Sequence, residues 1–116
     1  MSTEKVTTAQ AVAWARAHGA VPHVLDGSEA RTKAEVLDAI GEALEFPPYY
    51  GGNLDALFDC LADLSWLPEG EHVLVWSHHQ SLAEEDWQAY QRVRSVLKDG
   101  AGSANGRRLT VVFAAS

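Results

Sequence analysis

Apolar residues recur at helical spacing in several stretches of the chain and run almost without interruption in three short ones. Val36, Leu37, Ile40 and Leu44 share one side of a helix, as do Leu54, Leu57, Leu61 and Leu64, and then Trp87, Tyr90, Val93 and Leu97. Three helix starts carry capping boxes, Thr7/Gln10, Thr32/Glu35 and Ser81/Glu84, in which a hydroxyl and a residue three positions on satisfy backbone donors reciprocally. The first opens an alanine-rich helix around Val12 and Trp14 that should stop at Gly19, the second should stop before Pro47, and the third near Gly100. Val21 to Leu25, His72 to Trp76 and Leu109 to Ala114 read as strands, the last apolar enough to be buried on both faces. The Gly-, Ser- and Asn-rich stretch from Asp99 to Gly106 reads as a flexible connection. Alternating strands and helices predict an α/β fold: a three-stranded parallel sheet with right-handed crossovers, packed with helices and preceded by an extra N-terminal helix. Residues 1–20 are expected to extend the same domain as residues 21–116, since no repeat or boundary divides the chain.

Composition fits one domain with a real core, at 116 residues, 47% of them hydrophobic and four of them tryptophan. Charge then narrows the choice of partner. A formal net charge of −7 argues against direct nucleic-acid binding, which needs clustered Lys and Arg. Between Lys33 and Arg92 there are twelve carboxylates and no lysine or arginine, so a cationic partner is expected. A single cysteine excludes an intramolecular disulfide and suits a reducing compartment. With no signal-peptide pattern and no apolar run near the roughly 20 residues of a membrane span, a soluble cytoplasmic protein without a membrane partner is expected.

The segment from Phe46 to Leu64 concentrates the candidate chemistry. Pro47 and Pro48 end one helix, Gly51 and Gly52 permit a sharp reversal, and Asn53 offers an N-cap for the next. The leucines of that helix take one face, leaving Asp55, Asp59, Ala62 and Asp63 on the other with Phe58 at the border. A large aromatic between two exposed acids is a natural anchor for a protein partner. Asp55 in the first turn also suits the helix dipole without any partner, whereas Asp59 and Asp63 gain nothing from it.

The run Pro48-Tyr49-Tyr50-Gly51-Gly52-Asn53-Leu54-Asp55-Ala56-Leu57-Phe58-Asp59-Cys60-Leu61 resembles the signature of the barstar family, small cytoplasmic inhibitors of secreted microbial ribonucleases. The likeness extends more loosely from Val21 to Ala114 and leaves residues 1–20 outside. It implies a small barstar-like fold, no enzymatic activity and no cofactor. It further implies a monomer that binds an extracellular, guanyl-preferring ribonuclease one to one, as an immunity protein does. Carried over by position, the nuclease-binding residues would be Tyr49, Gly51, Gly52, Asn53, Asp55, Phe58 and Asp59, with Trp66 a possible rim contact. Asp59 would enter the phosphate site of the nuclease, since arginine donates paired hydrogen bonds to carboxylate and phosphate alike. Gly52 and Phe58 depart from the best-known member, which has an acid and a tryptophan there, so a different nuclease is implied.

Simpler readings stand beside these. Cys60 next to Asp59 is a poor nucleophile and a better structural residue. His78-His79 lacks a third metal ligand at diagnostic spacing, so no metal site is expected. Trp14, Trp76 and Trp87 are most simply core, Trp66 is evenly balanced between packing and contact, and one of Tyr49 and Tyr50 should be buried. A glycosidase-like pair formed by Asp55 and Asp59 would need a cleft that an exposed helix face does not offer. The stronger rival is a barstar-like module whose acidic face recognises a partner other than a ribonuclease, such as another toxin or a regulatory protein.

Overall fold

The computed structural model describes residues 6–115. In chain order the elements are α1 (Thr8–Ala17), β1 (Val21–Asp26), α2 (Lys33–Ala43), α3 (Leu54–Asp63), β2 (Gly70–Ser77), α4 (Gln80–Glu85), α5 (Trp87–Gly100), β3 (Gly102–Ala104) and β4 (Arg107–Ala114). The sheet order is β1-β2-β4-β3. The first three of these strands are parallel, as expected, with Val21 opposite His72 and His72 opposite Leu109. Strand β3 adds a short antiparallel edge, pairing Gly102 with Leu109. The expected three-stranded sheet is therefore four-stranded, and part of the stretch read as a flexible connection is ordered backbone. Its glycines supply the reason: Gly102 at φ +136 and Gly106 at φ +78 let the chain leave α5 and reverse onto β4.

Side chains alternate across the sheet and meet a different layer on each face. On one face Leu25, Leu74, Trp76 and Leu109 join Val36, Leu37, Ile40, Leu57, Leu61, Val93 and Leu97 in the main core. On the other, Val73, Val75 and Ala114 meet Ala11 and Ala15 of α1. The central strand β2 is the one buried on both faces, from His72 through Ser77. β4 is less buried than expected: only Leu109 and Ala114 are fully enclosed, because beyond Leu109 no strand among the described residues lies on its outer side.

Local signals account for two of the predicted helix starts. The boxes at Thr7 and Thr32 form with both reciprocal bonds. The box at Ser81 does not. α4 starts at His79 without a side-chain cap, and the helix expected to run unbroken to Gly100 divides at Asp86, whose carboxylate accepts from the Ala89 N–H to start α5. Trp76 is fully enclosed, whereas Trp14 and Trp87 are half exposed. α1 approaches the sheet through its small residues Ala11 and Ala15, leaving Trp14 to stack on His18 at 4.4 Å, while Trp87 lies against Tyr90 at 5.5 Å. His79 packs inward, with Nδ1 2.6 Å from the Tyr90 hydroxyl, and among the described residues no cluster could hold a metal ion.

Candidate protein-binding surface

The loop from Phe46 to Asn53 is seated by aromatic packing. Phe46 meets Tyr50 and Trp66 edge to face, at 4.8 and 5.6 Å. The Tyr50 hydroxyl donates to the Leu37 carbonyl of α2 at 2.9 Å, and Gly41 leaves room for its ring, since a Cβ there would come within 2.9 Å of it. Burial pushes the Tyr50 phenol up to about 12. Its neighbour Tyr49 is 72% exposed. The tyrosine pair thus resolves into an anchor and a projecting side chain. Trp66 is half-buried and its indole N–H donates to the Leu44 carbonyl at 2.9 Å, which assigns it to packing more than to contact.

Past Tyr50 the chain reverses through Gly52, at φ +68, and enters α3. The Asn53 side chain accepts from the Ala56 N–H at 2.8 Å and so fixes the helix start. Leu57, Cys60 and Leu61 turn inward, leaving Asp55, Phe58, Asp59 and Ala62 exposed. Phe58 keeps 44% of its surface open to solvent. Cys60 is buried, and burial first, then Asp59 and Asp63, pushes its thiol up, as a structural cysteine requires. Asp63 is only half exposed. Asn105 donates to its carboxylate at 3.2 Å and to its backbone carbonyl at 3.0 Å, so it has a structural partner after all.

Two ion pairs occur among the described residues, Arg31 with Glu85 at 3.5 Å and Arg107 with Glu69 at 4.0 Å. Neither involves Asp55 or Asp59, so both carboxylates face solvent without an internal cation. The structure also adds acids that sequence reasoning missed. A Cβ on Gly52 would lie 3.5 Å from the Asp38 carboxylate, so α2 supplies a charge beside the loop position that lacks one. Asp38, Glu42 and Glu45 rim a groove of about 590 Å³ walled by Phe46, Pro47, Pro48 and Tyr50. Asp38 and Glu42, four residues apart on α2, were the available signal, with Glu45 just past the helix end, though nothing local tied that face to the loop.

The geometry is a contiguous ridge of Tyr49, the Gly51-Gly52 turn, Asn53, Asp55, Phe58 and Asp59. The family model described as Barstar (barnase inhibitor) matches residues 20–114. The chain belongs to the barstar family. A similar protein is the "Putative ribonuclease inhibitor YrdF" of Bacillus subtilis (strain 168), 42% identical over 83 residues, which covers 66% of this chain and 88% of that protein. The barstar match begins just after α1, so the helix that covers the second face of the sheet lies outside it. Among the described residues, no helix is long and apolar enough to cross a membrane.

Proposed function

We propose that this barstar-family chain inhibits a secreted microbial ribonuclease of guanyl preference by plugging its active site with the ridge from Tyr49 to Asp59. The observation that carries this reading is the exposed pair Asp55 and Asp59, four residues apart, flanking Phe58 without an internal cation among the described residues. Asp55 at least suits the dipole at the start of α3, but an unpaired Asp59 beside an exposed aromatic does nothing for the free fold. It does complement a cleft whose arginines and histidine bind phosphate. Asp59 would occupy the phosphate position, Asp55 would pair with neighbouring cations, and Phe58 and Tyr49 would supply apolar contact. No bond is made or broken: the nuclease is blocked sterically and held electrostatically. A typical interface of about 800 Å² per partner would take roughly an eighth of the 6429 Å² surface. The acidic field should raise the encounter rate roughly 10- to 10³-fold at low salt, a range whose reference cases include the barnase–barstar pair.

The test is titration of the chain into a small guanyl-preferring ribonuclease while RNA cleavage is followed, with a phosphate-site competitor alongside. Stoichiometric, competitor-sensitive inhibition is expected. No inhibition across several such nucleases would overturn the reading in favour of a barstar-like module with a different cationic partner.

A further inference from the structure

The charge bias of the chain has a counterpart that ribonuclease inhibition does not use. Five of the nine lysines and arginines fall between Arg92 and Arg108. Three of them, Arg94 and Lys98 from α5 and Arg108 from β4, line a groove of about 460 Å³ floored by Val111 and Phe113. None of the three has an ion-pair partner among the described residues. Arg94 is held in place, its guanidinium 4.5 Å from the centre of the Phe113 ring and donating to the Tyr90 hydroxyl at 3.3 Å. A cationic groove on an acidic protein repels a basic nuclease and suits an anionic occupant.

The backbone says what shape that occupant has. β3 pairs with β4 only from Arg107 to Leu109. Among the described residues no strand lies beside Thr110–Ala114 on that side, and the next contact is the Ala115 N–H donating to the Val6 carbonyl at 2.8 Å. Among the described residues, then, an edge of five residues, roughly 17 Å long, carries no strand and runs along the cationic groove with Val111 and Phe113 half-buried. Such an edge is completed by an added strand, its backbone bonds giving affinity and its alternate side chains specificity. Pairing with the same edge of a second copy would press two sets of Arg94, Lys98 and Arg108 together, which like-charge repulsion opposes.

We propose that the open edge of β4 is a docking strip for an extended acidic segment of a partner protein. The segment adds a strand beside Thr110–Ala114, in line with β3, and turns its carboxylates toward Arg94, Lys98 and Arg108. The competing explanation is that the cations only guard the edge against self-pairing.

The test uses the full ¹⁵N-labelled chain titrated with a short end-capped peptide of alternating glutamate and valine. Expected are shifts and slowed hydrogen exchange at the Thr110–Ala114 amides. The double variant Lys98→Glu/Arg108→Glu, with an otherwise unchanged spectrum, should weaken binding roughly tenfold or more, Arg94→Lys should retain it, and ribonuclease inhibition should be the same in all three. The proposal is overturned if those amides do not respond, if an alternating lysine–valine peptide binds equally, or if single-stranded RNA gives the same shifts at lower concentration. It is also overturned if the double variant self-associates while the original chain ignores the peptide, which would make the cations edge guards.

Discussion

Replacing Asp59 by alanine separates the needs of the fold from those of binding. Asp59 is exposed on α3, four residues from both Asp55 and Asp63, and takes part in no ion pair among the described residues. Each like-charge neighbour at that spacing costs about 0.2 to 0.5 kcal/mol. Alanine gains up to about 0.7 kcal/mol in helix propensity. The asparagine donor near Asp63 offsets some of the second repulsion. Asp59→Ala should therefore leave the free protein more stable by about 1 kcal/mol, a rise of roughly 4 °C in Tm. Binding should move the other way. Truncating an acid that anchors an interface costs roughly 2 to 8 kcal/mol, a range whose upper end is itself a barstar measurement. Much of that loss would come from nuclease cations left unpaired in the complex. Paired measurements decide the matter: thermal or urea unfolding of both proteins, and inhibition titrations against the same ribonuclease. A variant destabilised by more than about 1 kcal/mol would refute the stability reasoning, since no mechanism here predicts a loss. A variant that inhibits as well as the original would refute the role given to Asp59.

Other perturbations probe the scaffold behind the ridge. Gly41→Ala would gain about 1 kcal/mol of helix propensity but push a Cβ to 2.9 Å from the Tyr50 ring. Overpacking costs about 1 to 3 kcal/mol, so a lower Tm and weaker inhibition are expected, and a rise in Tm would show that the ring moves freely. Tyr50 ionises at about 12 in the folded chain against 10.0 in the unfolded one. The unfolded state therefore loses its proton first, and stability should fall as pH rises from 10 toward 12. Screening of a half-buried group leaves about 1 kcal/mol of the nearly 3 that two units would represent. Urea titrations across that range should show the fall, and Tyr50→Phe should lack it. We propose that residues 1–20 extend the same domain, because α1 covers Val73, Val75 and Ala114. Their deletion should lower Tm yet leave inhibition intact in the folded fraction, measured by active-site titration; unchanged stability would make α1 dispensable.

The sequence alone determined what depends on residues a few positions apart. The caps at Thr7, Thr32 and Asn53 form because a side chain and a backbone N–H three residues on are brought together by the first helical turn itself. The leucines of α3 turn inward and Asp55, Phe58 and Asp59 outward for an equally local reason, the helical period. The candidate ridge was legible for that reason, being one continuous segment of loop, cap and helix. Where a residue's fate depends on what packs against it from elsewhere in the chain, the same signals fell short. Ser81 and Glu84 had the spacing of a cap, but Leu82 is buried in the main core and the Asp86 carboxylate starts a separate helix. Trp14 and Trp87 had apolar surface to bury, yet the sheet receives α1 through alanines and the core receives α5 through Tyr90, Val93 and Leu97. Only tertiary structure decided that Tyr50 anchors while Tyr49 projects, because the Leu37 carbonyl and the space above Gly41 come from another helix. It likewise placed Asp38 beside Gly52 and brought Arg94 and Lys98 to the edge of β4. Contacts between residues distant in sequence are set by how the layers stack, and no pattern of neighbours in the chain encodes them.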